Sequence, residues 1–156
     1  MPESFSLLIG KHRISMRSRS QEPLENYLKL IRSLALDEGI SEVTNSLIAR
    51  KFKLAPASVT EVLSRLQSKR LLEGGKYRPV RLTKKGLAIA NSIVRRHRLA
   101  ELFLVRTLHL PNNRADAVAC SFEHAVGNDI EAAICKKLGH PSKCPHGLSI
   151  PKGKCC

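Results

Sequence analysis

A chain of 156 residues is long enough to bury a core of its own and holds one compact domain or two small ones. Lys and Arg outnumber Asp and Glu 27 to 13, a formal charge of +14, and the first 96 residues carry 19 of the basic and 8 of the acidic side chains; this skew predicts a polyanionic partner, nucleic acid first and an anionic membrane surface second. No apolar run approaches the roughly 20 residues of a bilayer span, Phe5 to Ile9 is too short for a secretory core, and five cysteines, an odd number, suit a reducing compartment better than a disulfide framework, so a soluble cytoplasmic protein without membrane attachment is expected.

Residues 1–19 are polar and basic without sustained periodicity, which predicts a flexible arm. A DNA-binding domain is expected over 20–83. Pro23 suits the first turn of a helix, and Leu24, Tyr27, Leu28, Ile31 and Leu34 form an apolar stripe at helical spacing that Gly39 ends. A short second helix is predicted to open near Thr44 or Asn45, both good N-caps, and to carry Leu47, Ile48 and Phe52. In the next segment Val59, Val62, Leu63 and Leu66 share one face, while Ser58, Thr60, Glu61, Ser64 and Arg65 share the other. A short helix, a tight turn and a helix that starts with small residues make a helix-turn-helix, whose second helix enters the major groove by its N-terminal end. Ala55, Ala57, Ser58, Thr60, Glu61 and Arg65 are therefore the candidate DNA-facing residues. Alternation from Leu71 to Leu82 around Gly74 and Gly75 predicts a two-stranded wing, from which Lys76, Arg78 and Arg81 would reach phosphates. Which bases are read is not legible, because phosphate contacts position a protein and base contacts specify its site.

Thr83 is expected to cap a long helix from Lys84 to about Leu108, followed beyond Pro111 by helices from about Arg114 to Val126 and from Asn128 to Leu138. The fold class is thus mainly α, a winged helix-turn-helix followed over 84–140 by a helical domain. Its helices are apolar on several faces, which predicts a homodimer. On the long helix His97 and Glu101 stand four residues apart and share a face; Cys120, Glu123 and His124 do so on the next. Thiolate, imidazole and carboxylate together suit a divalent transition metal rather than calcium or magnesium. Taken singly, each has a plain structural reading: Cys120 as a small buried hydrophobe, His97 as a surface residue among arginines, Glu123 and His124 as a surface pair.

The order of a winged helix, His97-Arg-Leu-Ala-Glu101, Ala119-Cys-Ser-Phe-Glu-His124 and Gly139-His-Pro-Ser-Lys-Cys-Pro-His-Gly147 resembles the diphtheria-toxin-repressor family of metal-dependent transcriptional regulators, from about Pro23 to Pro151. The resemblance implies a metal-activated repressor of metal-homeostasis genes that binds an operator in duplex DNA as a homodimer. It also implies a primary metal site of Cys120, Glu123 and His124 with a first-helix ligand at Asn26, where the iron branch has methionine and the manganese branch aspartate. His97 and Glu101 match an ancillary site, and Asp116 stands where the iron branch has histidine. Lys29 falls where the manganese branch has a ligating glutamate, which argues against a two-metal cluster. The implied cofactor is Fe(II), with Mn(II) second and Co, Ni or Zn able to substitute in vitro. The resemblance implies the two-domain form, without the C-terminal barrel of longer relatives.

The tail, 141–156, holds Cys144, His146, Cys155 and Cys156, with His140 just before it. These are possible ligands of a further metal or members of a thiol switch, though their spacing is not that of a standard zinc finger. Two other readings stay open: a winged-helix protein that binds DNA without metal, and a thiol-based redox protein using the tail. The chain has no Gly-rich phosphate loop, no Cys-x-x-Cys and no paired acid and base around a nucleophile, so neither an enzyme nor a small organic substrate is expected.

Overall fold

The computed structural model describes residues 22–75 and 78–156. The arm expected over 1–19 and the wing-tip Lys76 lie outside the described residues. Six α-helices and a two-stranded sheet follow one another as α1 (Glu22–Arg32), α2 (Asn45–Phe52), α3 (Pro56–Ser68), β1 (Leu72–Gly75), β2 (Arg78–Leu82), α4 (Lys84–Leu108), α5 (Asn112–Ala125) and α6 (Asn128–Lys137).

Leu24, Tyr27, Leu28 and Ile31 bury one face of α1, as their spacing requires. The helix does not run on to Gly39 as an α-helix. From Ser33 to Asp37 it widens into a π-helical turn, closed by the Glu38 N–H on the Ser33 carbonyl at 3.0 Å. Two arginines hold the turn at Asp37: Arg32 Nη1 donates to both its oxygens at 2.7 Å, and Arg98 Nη2 of α4 reaches Oδ2 at 2.6 Å.

The Thr44 hydroxyl caps α2 by accepting the Leu47 N–H at 3.2 Å. Pro56 opens α3 with a residue that has no N–H to satisfy, and Thr60 fastens the two helices together. Its Oγ1 accepts from Asn45 Nδ2 at 2.7 Å and donates to the Pro56 carbonyl at 2.9 Å. Val59, Leu63 and Leu66 are buried and Val62 is partly buried, while Ser58, Glu61, Ser64 and Arg65 face out. The wing is antiparallel, with Leu72 opposite Leu82 and a register irregularity between Glu73 and Gly75. A third edge, unseen in the sequence, is the bridge from Val43 to Val80, whose N–H donates to the Val43 carbonyl at 2.8 Å.

Thr83 caps α4 through the Gly86 N–H at 3.0 Å and donates to the Arg70 carbonyl at 2.9 Å, so the wing and the long helix share one joint. Gly86 permits that joint, since a Cβ there would lie 2.0 Å from the Leu71 carbonyl oxygen. The 25 residues of α4 span about 38 Å. The first turns pack on the winged-helix core through Ala90. The later turns bury Leu99 and Leu102 against α6 and the tail, and Ala100 and Leu104 against Ala115 and Ala119 of α5. No described helix is long and apolar enough to cross a membrane.

Candidate metal centre

Helices α1, α4 and α5 and the tail loop bring their polar side chains to one seam between the two halves. On α4, His97 and Glu101 lie one turn apart on a buried face, and Asp116 of α5 comes to 3.1 Å from His97 Nε2. One donor atom from each of these three lies within 4.8 Å of the others. Glu101 belongs to a second trio as well, with Cys144 and His146 of the tail. His146 Nδ1 is 2.7 Å from Glu101 Oε1, yet that oxygen is buried and accepts no hydrogen bond. The contact is an ion pair rather than an aligned hydrogen bond, and its two atoms are of the types a divalent transition metal takes. An unsatisfied buried carboxylate oxygen is costly unless something positive completes it. Burial pushes the Glu101 carboxyl up and the nearby His146 and His97 pull it down, with burial dominant.

The expected primary set is only partly assembled. Cys120 and Glu123 meet, but the imidazole that joins them is His97, whose Nδ1 is 2.7 Å from Glu123 Oε2. His124 reaches across to α1, with Nδ1 at 2.7 Å from Glu25 Oε2 and Nε2 at 3.1 Å from Asn26 Oδ1, while Nε2 stays 3.4 Å from Glu123 Oε1. Glu25 is thus a partner of the site beside Asn26, although neighbouring positions on a helix point about 100° apart. Lys29 takes the central place: its ammonium lies 2.8 and 3.1 Å from the two Glu123 oxygens, 3.0 Å from His97 Nδ1 and 3.9 Å from Cys120 Sγ. Glu123 is fully buried, and this ammonium together with the His97 imidazole keeps its charge tolerable. Burial opposes a charge on His97, but hydrogen bonds to Cys120 and Glu123 outweigh it and bring the imidazole up to about 9.

The four tail residues separate into two places. Cys144 and His146 stand beside Glu101, whereas Cys155 and Cys156 gather with Cys135 and His140. Cys135 is a member that sequence reasoning missed, since it reads as part of the apolar face of α6.

At the other end, Ala55, Ala57, Ser58, Glu61 and Arg65 are exposed on and before α3. A groove of about 500 Å³ runs between the start of that helix and the wing, lined among others by Asn45, Thr60, Gly75 and Arg78. Thr60 is exposed at this groove and also holds α2 against α3.

Residues 21–80 match the family described as the iron dependent repressor N-terminal DNA binding domain, and residues 83–152 the iron dependent repressor metal binding and dimerisation domain. The chain is 35% identical over 127 residues to the iron-dependent repressor IdeR of Mycobacterium tuberculosis, covering 81% of this chain and 54% of that protein. Among solved structures it resembles a manganese-dependent transcriptional repressor in complex with manganese (TM-score 0.76, 33% identity, 83% of this chain and 59% of that one). It also resembles IdeR of T. acidophilum (TM-score 0.70, 34% identity, 82% and 59%). The chain spans about half the length of the curated relatives it matches. With both matched segments in order and a winged helix joined by α4 to a ligand-rich helical domain, this chain belongs to the iron-dependent repressor family of metal-dependent transcriptional regulators.

Proposed function

We propose that the chain is a metal-activated repressor that binds an operator of metal-homeostasis genes as a homodimer in the cytoplasm. The observation that carries this reading is the cluster of His97, Glu101 and Asp116, with Cys144 and His146 of the tail gathered at the same buried carboxylate. These residues fit a divalent metal in donor type and in spacing. They would hold it together with His146 or Cys144, and the ion would supply positive charge that completes Glu101. Imidazole and a nearby thiol favour Fe(II) over Mn(II), with Co, Ni and Zn as in vitro substitutes.

The chain's own residues convert that event into reading-head geometry. Arg98, on α4 between the two ligands, donates to Asp37 at the end of α1 and to the Ser149 carbonyl of the tail loop. Ordering His97, Glu101 and His146 therefore orders the joint between the DNA-binding half and the helical half. In a dimer this sets the two α3 helices relative to successive major grooves, about 34 Å apart. A metal that prefers the DNA-competent arrangement by about 2.7 kcal/mol raises its weight about a hundredfold.

One observation favours a second reading, DNA binding without metal. The Lys29 ammonium already neutralises Glu123 between α1 and α5 and could hold the joint by itself. Anaerobic binding of chelator-treated protein to its own upstream DNA and to a scrambled duplex, with Fe(II), Mn(II) or neither, separates the two. Metal-selective tightening on the upstream duplex, lost in Glu101→Gln, is the expected result. Equal affinity with and without metal would establish the second reading.

A further inference from the structure

Away from the centre just described, three segments of chain bring soft donors to one point. Cys135 lies in the last turn of α6 and is fully buried, His140 follows the helix, and Cys155 and Cys156 come from the tail. One donor atom from each lies within 4.8 Å of all the others. We propose that Cys135, His140, Cys155 and Cys156 form a closed tetrahedral site for zinc or a similarly soft divalent metal, which fastens the tail to α4 and α6.

The spacing is that of ligands rather than of a disulfide. With Zn–S near 2.3 Å and Zn–N near 2.05 Å, a tetrahedron places two sulfurs about 3.8 Å apart and a sulfur and a nitrogen about 3.6 Å apart. Cys135 and Cys156 Sγ are 3.9 Å apart, and Cys135 Sγ is 3.5 Å from His140 Nδ1. A disulfide would require about 2.05 Å.

The surroundings are built for thiolates. Arg95 of α4 is almost wholly buried, and its Nη2 donates to Cys155 Sγ at 3.2 Å and to Cys156 Sγ at 3.4 Å. Glu131 at 2.7 Å and the Pro151 carbonyl at 2.7 Å hold the guanidinium in place. Outer partners of this kind orient ligands and stabilise their charge. The backbone takes an uncommon path to deliver His140: Gly139 and His140 both have left-handed φ, 72° and 55°, and the His140 N–H returns to the Cys135 carbonyl at 2.9 Å. That turn folds the imidazole back over the sulfur of the preceding helix. A hydrogen bond from the Gly153 backbone, with help from Arg95, brings Cys156 down to about 6, whereas burial holds Cys135 up to about 11. Zinc would displace the remaining thiol protons on binding.

The consequence reaches the seam. The tail segment fixed at Pro151 by Arg95 continues the loop that carries Cys144 and His146 beside Glu101, and Arg95 precedes His97 by two residues on α4. A closed Cys3His site of this type is structural, and it would hold that loop in register. The inference stands on this cluster alone and does not depend on the DNA-binding reading.

The test uses the full chain, prepared under reducing conditions and loaded with Co(II) in place of zinc. In a Cys120→Ser/Cys144→Ser background, which removes the two thiols at the seam, the chain should show thiolate-to-cobalt charge transfer in the near ultraviolet and intense visible bands of tetrahedral Co(II). The double variant Cys155→Ser/Cys156→Ser, at the accessible end of the cluster, should lose both and bind zinc about a hundredfold or more weakly. Cys135→Ser should do the same where it folds. Absence of the bands from that background, bands that persist when Cys155 and Cys156 are also replaced in it, or an intact mass showing a tail disulfide in reductant would each overturn the site.

Discussion

A lysine ammonium 2.8 Å from Glu123 and 3.0 Å from His97 Nδ1 changes what the centre can hold. A divalent ion about 4 Å from that charge would meet roughly 8 kcal/mol of repulsion at an effective dielectric of 20. One metal per protomer at the His97, Glu101 and Asp116 cluster is therefore expected, with Lys29 standing in for a second. Mn(II) titration followed by electron paramagnetic resonance reads this, since manganese avoids the thiolate-rich tail: wild type should bind one ion and Lys29→Glu two, and two in wild type would remove the argument. His97 makes a second prediction in metal-free protein. Its imidazole is raised to about 9 from an ordinary 6.5 among Lys29, Asp116, Cys120 and Glu123. A raised folded value contributes stability that is fully present below about pH 6.5 and lost as pH rises through about 9. The difference in unfolding free energy between wild type and His97→Gln should shrink across that window in urea titrations, and a difference independent of pH would mean the imidazole is not charged.

At the scale of elements the π-helical turn Ser33–Asp37 joins the winged half to α4. Asp37 is 14% exposed and burial alone would raise its carboxyl, but Arg98 and Arg32 hold it below the usual range. Asp37→Asn leaves two nearly buried guanidinium groups short of their counter-charge and should cost on the order of 3 kcal/mol, read as a lower urea midpoint; a change within 0.5 kcal/mol or so would show that the pair is balanced by desolvation. The stabilisation should also fade as pH falls below the ordinary carboxylate range, because a depressed folded value is lost on the acid side. That turn was not legible in the sequence. One of the two arginines that hold it, Arg98, is 61 residues from Asp37, and local periodicity contains no trace of that contact. The limits of α4, by contrast, follow from the Thr83 cap and a stripe at helical spacing, and the pairing of His97 with Glu101 follows from their separation of one turn. Motif order brought Asn26, Asp116 and Lys29 into view as positions, but which imidazole faces Glu123 depends on how α1 seats against α5. The same limit hid Cys135 as a partner for the tail.

The chain has a formal charge of +14, so on the proposed reading much of the affinity of one winged half for DNA would be phosphate-based and lost in salt. Specific binding then depends on two heads acting together. On α5, Val118 and Phe122 are exposed one turn apart, and Leu108 is exposed at the end of α4. Apolar side chains grouped on the outer face of a domain matched as a dimerisation domain are the surface a second copy would cover. Val118→Asp/Phe122→Asp places two carboxylates where the copies would meet and leaves the winged core and the metal cluster untouched. Linking two heads usually multiplies affinity by about 10² to 10⁴ when the geometry allows both to engage. The double variant should sediment as a monomer, and its affinity for a duplex with two half-sites should fall to that for a single half-site, with a smaller salt slope to match. Fluorescence anisotropy at two salt concentrations measures both, and a variant that stays dimeric would place the interface elsewhere on the molecule.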